Sequence, residues 1–212
     1  MKTLLFCTSL FDSDNTDKYE SWWHYYSNKF SNCDKLIIND GKIDDLTFLK
    51  LQSWEKFGFN PNINLKLFDS KLGKDNEKHW GWYRSFRYAL MYGVSNNYDK
   101  IIHVEADAVI VSDRLINYLN NQNNGWWCLF SKHYGFKESA IQVVNRDAFN
   151  LIENLPEMYD FEKIAEWFLP FWCNKSFIGD RYGELGKLPS HKIDYACQWN
   201  WDWAIEKDWI IE

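Results

Sequence analysis

The chain opens on an apolar run, residues 3–10, that gives way to the polar stretch 12–17. A run of that length with a polar boundary predicts a buried strand ending in a loop. Residues 19–30 (YESWWHYYSNKF) set their aromatic rings at helical spacing and predict a helix. A second buried strand is expected at 34–39 around Leu36-Ile37-Ile38, closed by the turn Asn39-Asp40-Gly41. Residues 65–68 predict a third, short strand. Residues 83–93 predict a helix with Phe86, Ala89 and Leu90 on one face and Gly93 as its C-terminal stop. In the segment 100–112, KIIHVEADAVIVS, two apolar stretches flank Glu105-Ala106-Asp107. A helix is expected at 113–122, strands at 126–130 and 140–144, and helices at 147–155 and 159–168. Beyond Pro170 the pattern loosens: 179–195 reads as loop and 199–211 as a helix.

Strands thus alternate with helices over the first two thirds, which predicts an α/β fold with a central, mostly parallel sheet flanked by helices. No repeat, low-complexity linker or composition break divides the chain, so one domain over 1–212 is expected. The last residues fall inside an apolar run, Trp209-Ile210-Ile211, so that domain could be cut from a longer polypeptide.

Composition narrows the function classes. With 46% hydrophobic and 25% charged residues, disorder is excluded. No apolar run approaches the roughly 18 residues of a membrane-spanning helix. The net charge of −6 argues against nucleic acid as a partner, which calls for a basic footprint. Five cysteines without a C-x-x-C give neither a disulfide framework nor a zinc ribbon. The N-terminus imitates a signal peptide, but its apolar run is short, meets Asp12 and Asp14 at once and lacks a cleavage site. A cytoplasmic location is the expectation. Aromatic residues make 19% of the chain, Trp alone 13. Most such rings build cores; Trp80, Trp82, Trp126 and Trp127 stand close enough to polar motifs to be candidates for stacking on a sugar or base.

The chemistry concentrates at Glu105 and Asp107. In open α/β sheets ligands bind beyond the carboxyl ends of the strands. Two carboxylates one residue apart at such an end can reach one hard cation, Mg²⁺ or Mn²⁺, which also takes substrate phosphate oxygens. A solvated acidic turn would look the same in sequence.

His103-Val104-Glu105-Ala106-Asp107-Ala108-Val109-Ile110, preceded by Gly81-Trp82-Tyr83-Arg84-Ser85, resembles the acidic motif and preceding helix of the GT-A fold nucleotide-sugar glycosyltransferases. These include small enzymes of bacterial surface and viral capsid glycan synthesis. The resemblance implies Glu105 and Asp107 as metal and donor contacts and Arg84, with Arg87 second, as a diphosphate or sugar contact. It implies Thr8 and Ser9 at the nucleotide base. In the late segment FIGDRYGE it implies Asp180 as a catalytic carboxylate, and His191 beyond it as a metal ligand. Gln142 and Asn145-Arg146-Asp147 resemble the acceptor-side strand in position, and Asp194 is a further late carboxylate. The implied activity is metal-dependent transfer of a sugar from a nucleoside diphosphate, most simply UDP, to a hydroxyl of a glycan or glycoprotein, with Mn²⁺ or Mg²⁺ as cofactor.

Two rivals use the same residues differently. A phosphohydrolase or nuclease would also place acidic strand ends around Mg²⁺, with a richer set of carboxylates. A Trp-rich carbohydrate-binding module would need neither carboxylate nor metal. No G-x-G-x-x-G, P-loop, G-x-S-x-G or H-E-x-x-H occurs.

Overall fold

Strand β1 (Thr3–Ser9) is buried at every position, so it requires cover on both faces and lies inside a sheet. The computed structural model describes residues 1–11, 15–73, 79–131, 135–156, 173, 175–179, 181–182 and 194–197. After β1 come α1 (Thr16–Lys29), β2 (Asp34–Asn39), α2 (Asp45–Gln52), α3 (Pro61–Asn64), β3 (Leu65–Leu67) and α4 (Trp80–Ser95). Then follow β4 (Lys100–Val104), β5 (Ala108–Ile110), α5 (Asp113–Asn121), β6 (Trp126–Ser131), β7 (Phe136–Asn145) and α6 (Phe149–Glu153). Short strands β8 (Lys175–Gly179), β9 (Arg181–Tyr182) and β10 (Tyr195–Cys197) complete the described elements.

The main sheet has the order β3-β2-β1-β4-β7-β6-β8. β1 to β4 are mutually parallel, β7 runs antiparallel to β4 and β6, and β8 is parallel to β6. The expectation of a mostly parallel α/β sheet with flanking helices holds. A second sheet, β5-β10-β9, stands at the carboxyl end of β4.

Alternation along the strands divides the core in two. Leu5, Cys7, Ile37, Ile102 and Val104 pack with Trp22 and Tyr26 of α1 and Leu115 of α5. Leu4, Phe6, Ile38 and Ile101 pack on the opposite face with Phe86 and Leu90 of α4 and Ile152 of α6. Gly93 is not a helix stop. α4 continues to Ser95, and a Cβ at Gly93 would fall on the Ile101 side chain, so the glycine lets helix and strand approach.

Three departures from the sequence pattern have local causes. Residues 45–64, which the pattern leaves unassigned, form α2, a 3-10 turn and α3, each too short for a full apolar period. Their signals are caps instead: Asp44 accepts from the Thr47 amide at 2.7 Å, and Asn60 with Pro61 starts α3. β7 is longer than its apolar part because a bulge facing Cys128 and Leu129 breaks the alternation. Within 179–195, read as loop, β9 and the start of β10 are strands too short to show a period. The helices expected at 159–168 and 199–211 lie outside the described residues. Among the described residues no helix is long and apolar enough to cross a membrane.

Two buried charges tie elements together. The Lys100 ammonium donates to the carbonyls of Leu119 (3.1 Å) and Asn120 (2.6 Å), placing a cation at the C-terminus of α5, where the helix dipole favours it. Burial pushes the Lys100 pKa down. Asp194, 3% exposed, accepts from the Arg114 guanidinium and the Ser112 hydroxyl, and its carbonyl accepts from the Val111 and Ser112 amides. This latch fastens β10 to the start of α5. Arg114→Ala leaves the carboxylate buried with its main cation removed. Because Arg114 is more than half exposed, the expected cost is about 2 kcal/mol. The unfolding midpoint should fall by roughly 4–8 °C, measured by differential scanning calorimetry.

Candidate active site

The carboxyl ends of β1 and β2 open into a cleft of about 190 Å³ lined by Thr8, Ser9, Tyr19, Asp40, His79 and Trp82, among others. Its floor is the turn after β2. The Asn39 carboxamide oxygen accepts from the Ser9 hydroxyl (3.2 Å) and the Phe11 amide (2.7 Å), and its nitrogen donates to the Gly41 carbonyl (3.0 Å). One buried side chain thus ties the exit of β1 to the turn of β2.

Asp40 is 4% exposed and is held from the other side of the cleft. Its carboxylate accepts from the amides of Leu72 (3.1 Å) and Gly73 (2.7 Å) and pairs with Arg84 of α4. A buried carboxylate is stable only with such compensation. The Arg84 guanidinium also donates to the Ser70 carbonyl (2.6 Å) and lies over the Phe68 ring at 4.0 Å. The first turn of α4 must pass directly over Asp40, and a Cβ at Gly81 would fall on the carboxylate.

The acidic pair sits in the turn between β4 and β5. The Glu105 amide donates to the Ala140 carbonyl (2.9 Å), and the Glu105 carbonyl accepts from the Ala108 amide (3.0 Å). Both Glu105 and Asp107 are half-buried. Oε1 of Glu105 accepts from the Trp82 indole at 2.9 Å and lies 3.5 Å from the Ser139 hydroxyl. Trp82 therefore joins the two predicted half-sites: its ring lines the cleft beside Thr8 and Ser9, and its N–H holds Glu105. The ring is fixed by stacking on Phe86, with centroids 5.0 Å apart and planes at 10°.

Helix α1 frames the same turn from the opposite face. The Trp22 indole donates to the Val104 carbonyl at 3.0 Å, just before Glu105. The Tyr26 hydroxyl donates to the Ala108 carbonyl (2.8 Å) and accepts from the Ile110 amide (3.0 Å), just after Asp107. Tyr25 donates to the Ile110 carbonyl at 2.6 Å. Burial pushes the Tyr25 phenol up to about 12, so it stays a donor.

His103 lies beneath the site, fully buried and stacked on Phe6 at 4.7 Å. Desolvation lowers its pKa to about 3, so the ring is neutral, and Nδ1–H donates to the Ser139 carbonyl (3.2 Å).

The structure brings Thr8 and Ser9 to the cleft, with Glu105 joined to it through Trp82 and Asp107 in the same turn; Arg84 does not line the cleft but pairs with Asp40, which does. Asp180 and His191 lie outside the described residues. Among the described residues no three His, Cys, Asp or Glu side chains converge as a metal cluster. Trp126 is fully buried and donates to Gln142 (3.0 Å), so both are occupied within the core. Trp127 donates to the Asn124 carbonyl, and Arg87 to the Leu155 carbonyl. Asn145 and Asp147 bind the Gly125 backbone, while Arg146 pairs with Asp99 and binds the carbonyls of Asn97 and Tyr98. Asp40, Trp22, Tyr25 and Tyr26 were not singled out from the sequence. Asp40 had a usable signal as an acidic residue in the turn after a buried strand. The three rings had only their helical spacing.

Two solved structures share this architecture over most of their length. A glycosyltransferase involved in the glycosylation of the major capsid of PBCV-1 aligns with a TM-score of 0.55 and 7% identity, over 93% of this chain and 93% of its own. The fold is that of the GT-A-type glycosyltransferases. A putative glucose-1-phosphate thymidylyltransferase from Bacillus anthracis aligns with a TM-score of 0.50 and 11% identity, over 84% of this chain and 86% of its own. No family model and no curated protein matches the sequence. At these identities the likeness concerns the fold, and the chemistry has to be argued from the site.

The contact between α4 and Asp40 is open to direct measurement. Gly81→Ala forces a methyl group onto the carboxylate and should cost about 1–3 kcal/mol in a denaturant melt. Combined with Asp40→Ala, the loss should fall short of the sum of the single variants by about 0.5 kcal/mol or more.

Proposed function

We propose that the protein is a metal-dependent glycosyltransferase that moves a sugar from a nucleoside diphosphate, UDP in the first instance, to a hydroxyl of a glycan or glycoprotein. The observation that carries this reading is the continuity, through Trp82, of the cleft at Thr8 and Ser9 with the acidic turn Glu105–Asp107. A base and ribose in the cleft would lead their diphosphate toward the two carboxylates.

The donor set suits a divalent cation. Two hard carboxylate oxygens from one turn leave the remaining positions of Mg²⁺ or Mn²⁺ to water and phosphate oxygen, the usual division for these ions. Glu105 and Asp107 would hold the metal, which neutralises charge developing on the leaving diphosphate. Trp82 and Ser139 orient Glu105. Arg84, expected as a diphosphate or sugar contact, is paired with Asp40; in this reading it balances Asp40, so that the cleft does not repel an anionic donor, and a direct donor contact would require it to turn from that pair. Asp180, as general base toward the acceptor hydroxyl, and His191, as a further ligand, belong to the same proposal on the strength of the sequence motif. The expected cytoplasmic location belongs to it as well.

The test is thermal unfolding with UDP, GDP, CMP and UDP-sugars, each with and without Mn²⁺, followed by product analysis. At 100 times its dissociation constant a ligand stabilises by roughly 2.7 kcal/mol, a midpoint rise of about 5–10 °C for this size. A Mn²⁺-dependent rise with one nucleotide is expected. Asp107→Asn should abolish that rise while shifting the ligand-free midpoint by less than about 2 °C. A response to free glycans alone would favour a carbohydrate-binding module. Release of phosphate from simple esters would favour a phosphohydrolase, and pyrophosphate release from a nucleoside triphosphate would favour nucleotidyl transfer.

A further inference from the structure

β5 is three residues long and fully buried, yet among the described residues only one of its edges is paired with a strand. Its partner β10 sets Ala108 against Cys197, Val109 against Ala196 and Ile110 against Tyr195. Successive residues of a strand aim their backbone groups at opposite edges. The groups bonded by α1 are the Ala108 carbonyl and both the amide and carbonyl of Ile110. They belong to alternate residues and so to one edge, where Tyr25 and Tyr26 stand in for a neighbouring strand. A similar substitution occurs at the other end of the turn. β4 keeps register with β1 as far as Phe6 opposite His103, and at the next residue the Val104 carbonyl accepts from Trp22.

We propose that α1 is the positioning element of the candidate metal turn: Trp22 and Tyr26 fix the backbone on both sides of Glu105–Asp107 and thereby set the spacing of the two carboxylates. The inference rests on the reading of Glu105 and Asp107 as the metal-binding pair. The two rings are themselves braced, Trp22 on Tyr26 with centroids 5.3 Å apart and Tyr25 on Tyr26 at 5.0 Å. The turn hangs between fixed points one residue outside each carboxylate. Small displacements of reacting groups are costly in a site of this kind, and a three-residue strand has no length of its own with which to resist them.

Tyr26→Phe keeps the ring and deletes both hydrogen bonds. The diagnostic amide is Ala108, whose N–H closes the turn onto the Glu105 carbonyl and is not bonded to Tyr26. Its hydrogen exchange should accelerate about tenfold, while exchange at Ile101 and Ile102 of β4 stays as in the wild type. The Mn²⁺ concentration giving half-maximal nucleotide-dependent stabilisation should rise five- to tenfold. Tyr25→Phe, which acts beyond the turn, should give a smaller change. Ile152→Val, in the core on the opposite face, serves as a destabilised control and should move neither readout. Trp22→Phe should repeat the effect from the β4 side and replaces Tyr26→Phe if that variant does not fold. Unchanged Ala108 exchange overturns the proposal. So does accelerated exchange with unaltered Mn²⁺ dependence, or an equal loss in Ile152→Val. If the wild type responds to no metal or nucleotide, the reading of the acidic pair fails, and with it the positioning role. The Ala108 exchange then decides separately whether the rings hold the turn.

Discussion

A buried backbone amide or carbonyl must find a partner, and around the acidic turn the described strands do not supply every one. β4 is leaving its parallel neighbour, and among the described residues β5 has a strand, β10, on one edge only. The polar tips of three aromatic side chains on α1 meet the deficit. This explains a part of the aromatic content that composition alone would assign to packing or to sugar stacking. The rings are large enough to fill the space between helix and sheet and still carry a donor to the far side. Phenylalanine or leucine at these positions would pack, but would leave carbonyls unsatisfied beside the residues that carry the chemistry.

The cleft obeys a second constraint of the same kind, applied to charge. Asp40 lies where a ligand would enter and is almost wholly out of water. Its carboxylate is compensated by two amides of the 72–73 loop and by Arg84. The glycine above it removes the one atom that would collide. Loop, helix and turn therefore meet at a single ionic group, and the shape of the cleft depends on that group remaining paired. Trp82, one residue beyond the glycine, carries this order across to Glu105.

The fold was legible where strands are buried on both faces. β1, β4, β5 and the last four residues of β2 read as apolar runs because burial on both faces demands that pattern. Glu105 and Asp107 stood out against that background. The segments that did not read clearly are short: α3 is one helical turn, β9 two residues, β10 three. Their positions follow from partners far away in the chain, Ile110 for Tyr195 among them, and periodicity holds no record of such pairings. Of the candidate site, the acidic pair and the end of the first strand were legible: Thr8 and Ser9 lie where that strand opens into the cleft. Trp22 and Tyr26 read as core residues, and they are; their second role lies in a hydroxyl and an indole N–H whose acceptors are more than 80 positions away. Asp194 shows the converse. In sequence it was a carboxylate available for chemistry, and in the structure Arg114 and Ser112 hold it in the latch of β10.

The order of the elements has a consequence for how the site is completed as the chain is made. Synthesis proceeds from the N-terminus, and a domain generally folds as a unit. α1, β1 and β4 precede the acidic turn in the chain, so the partners of the β5 edge facing α1 are made before it. The other edge waits for Tyr195–Cys197, some 85 residues later. The acidic turn therefore draws its frame from both ends of the chain, and the β10 side of that frame closes only once residues 194–197 are made and the Asp194 latch holds β10 against β5.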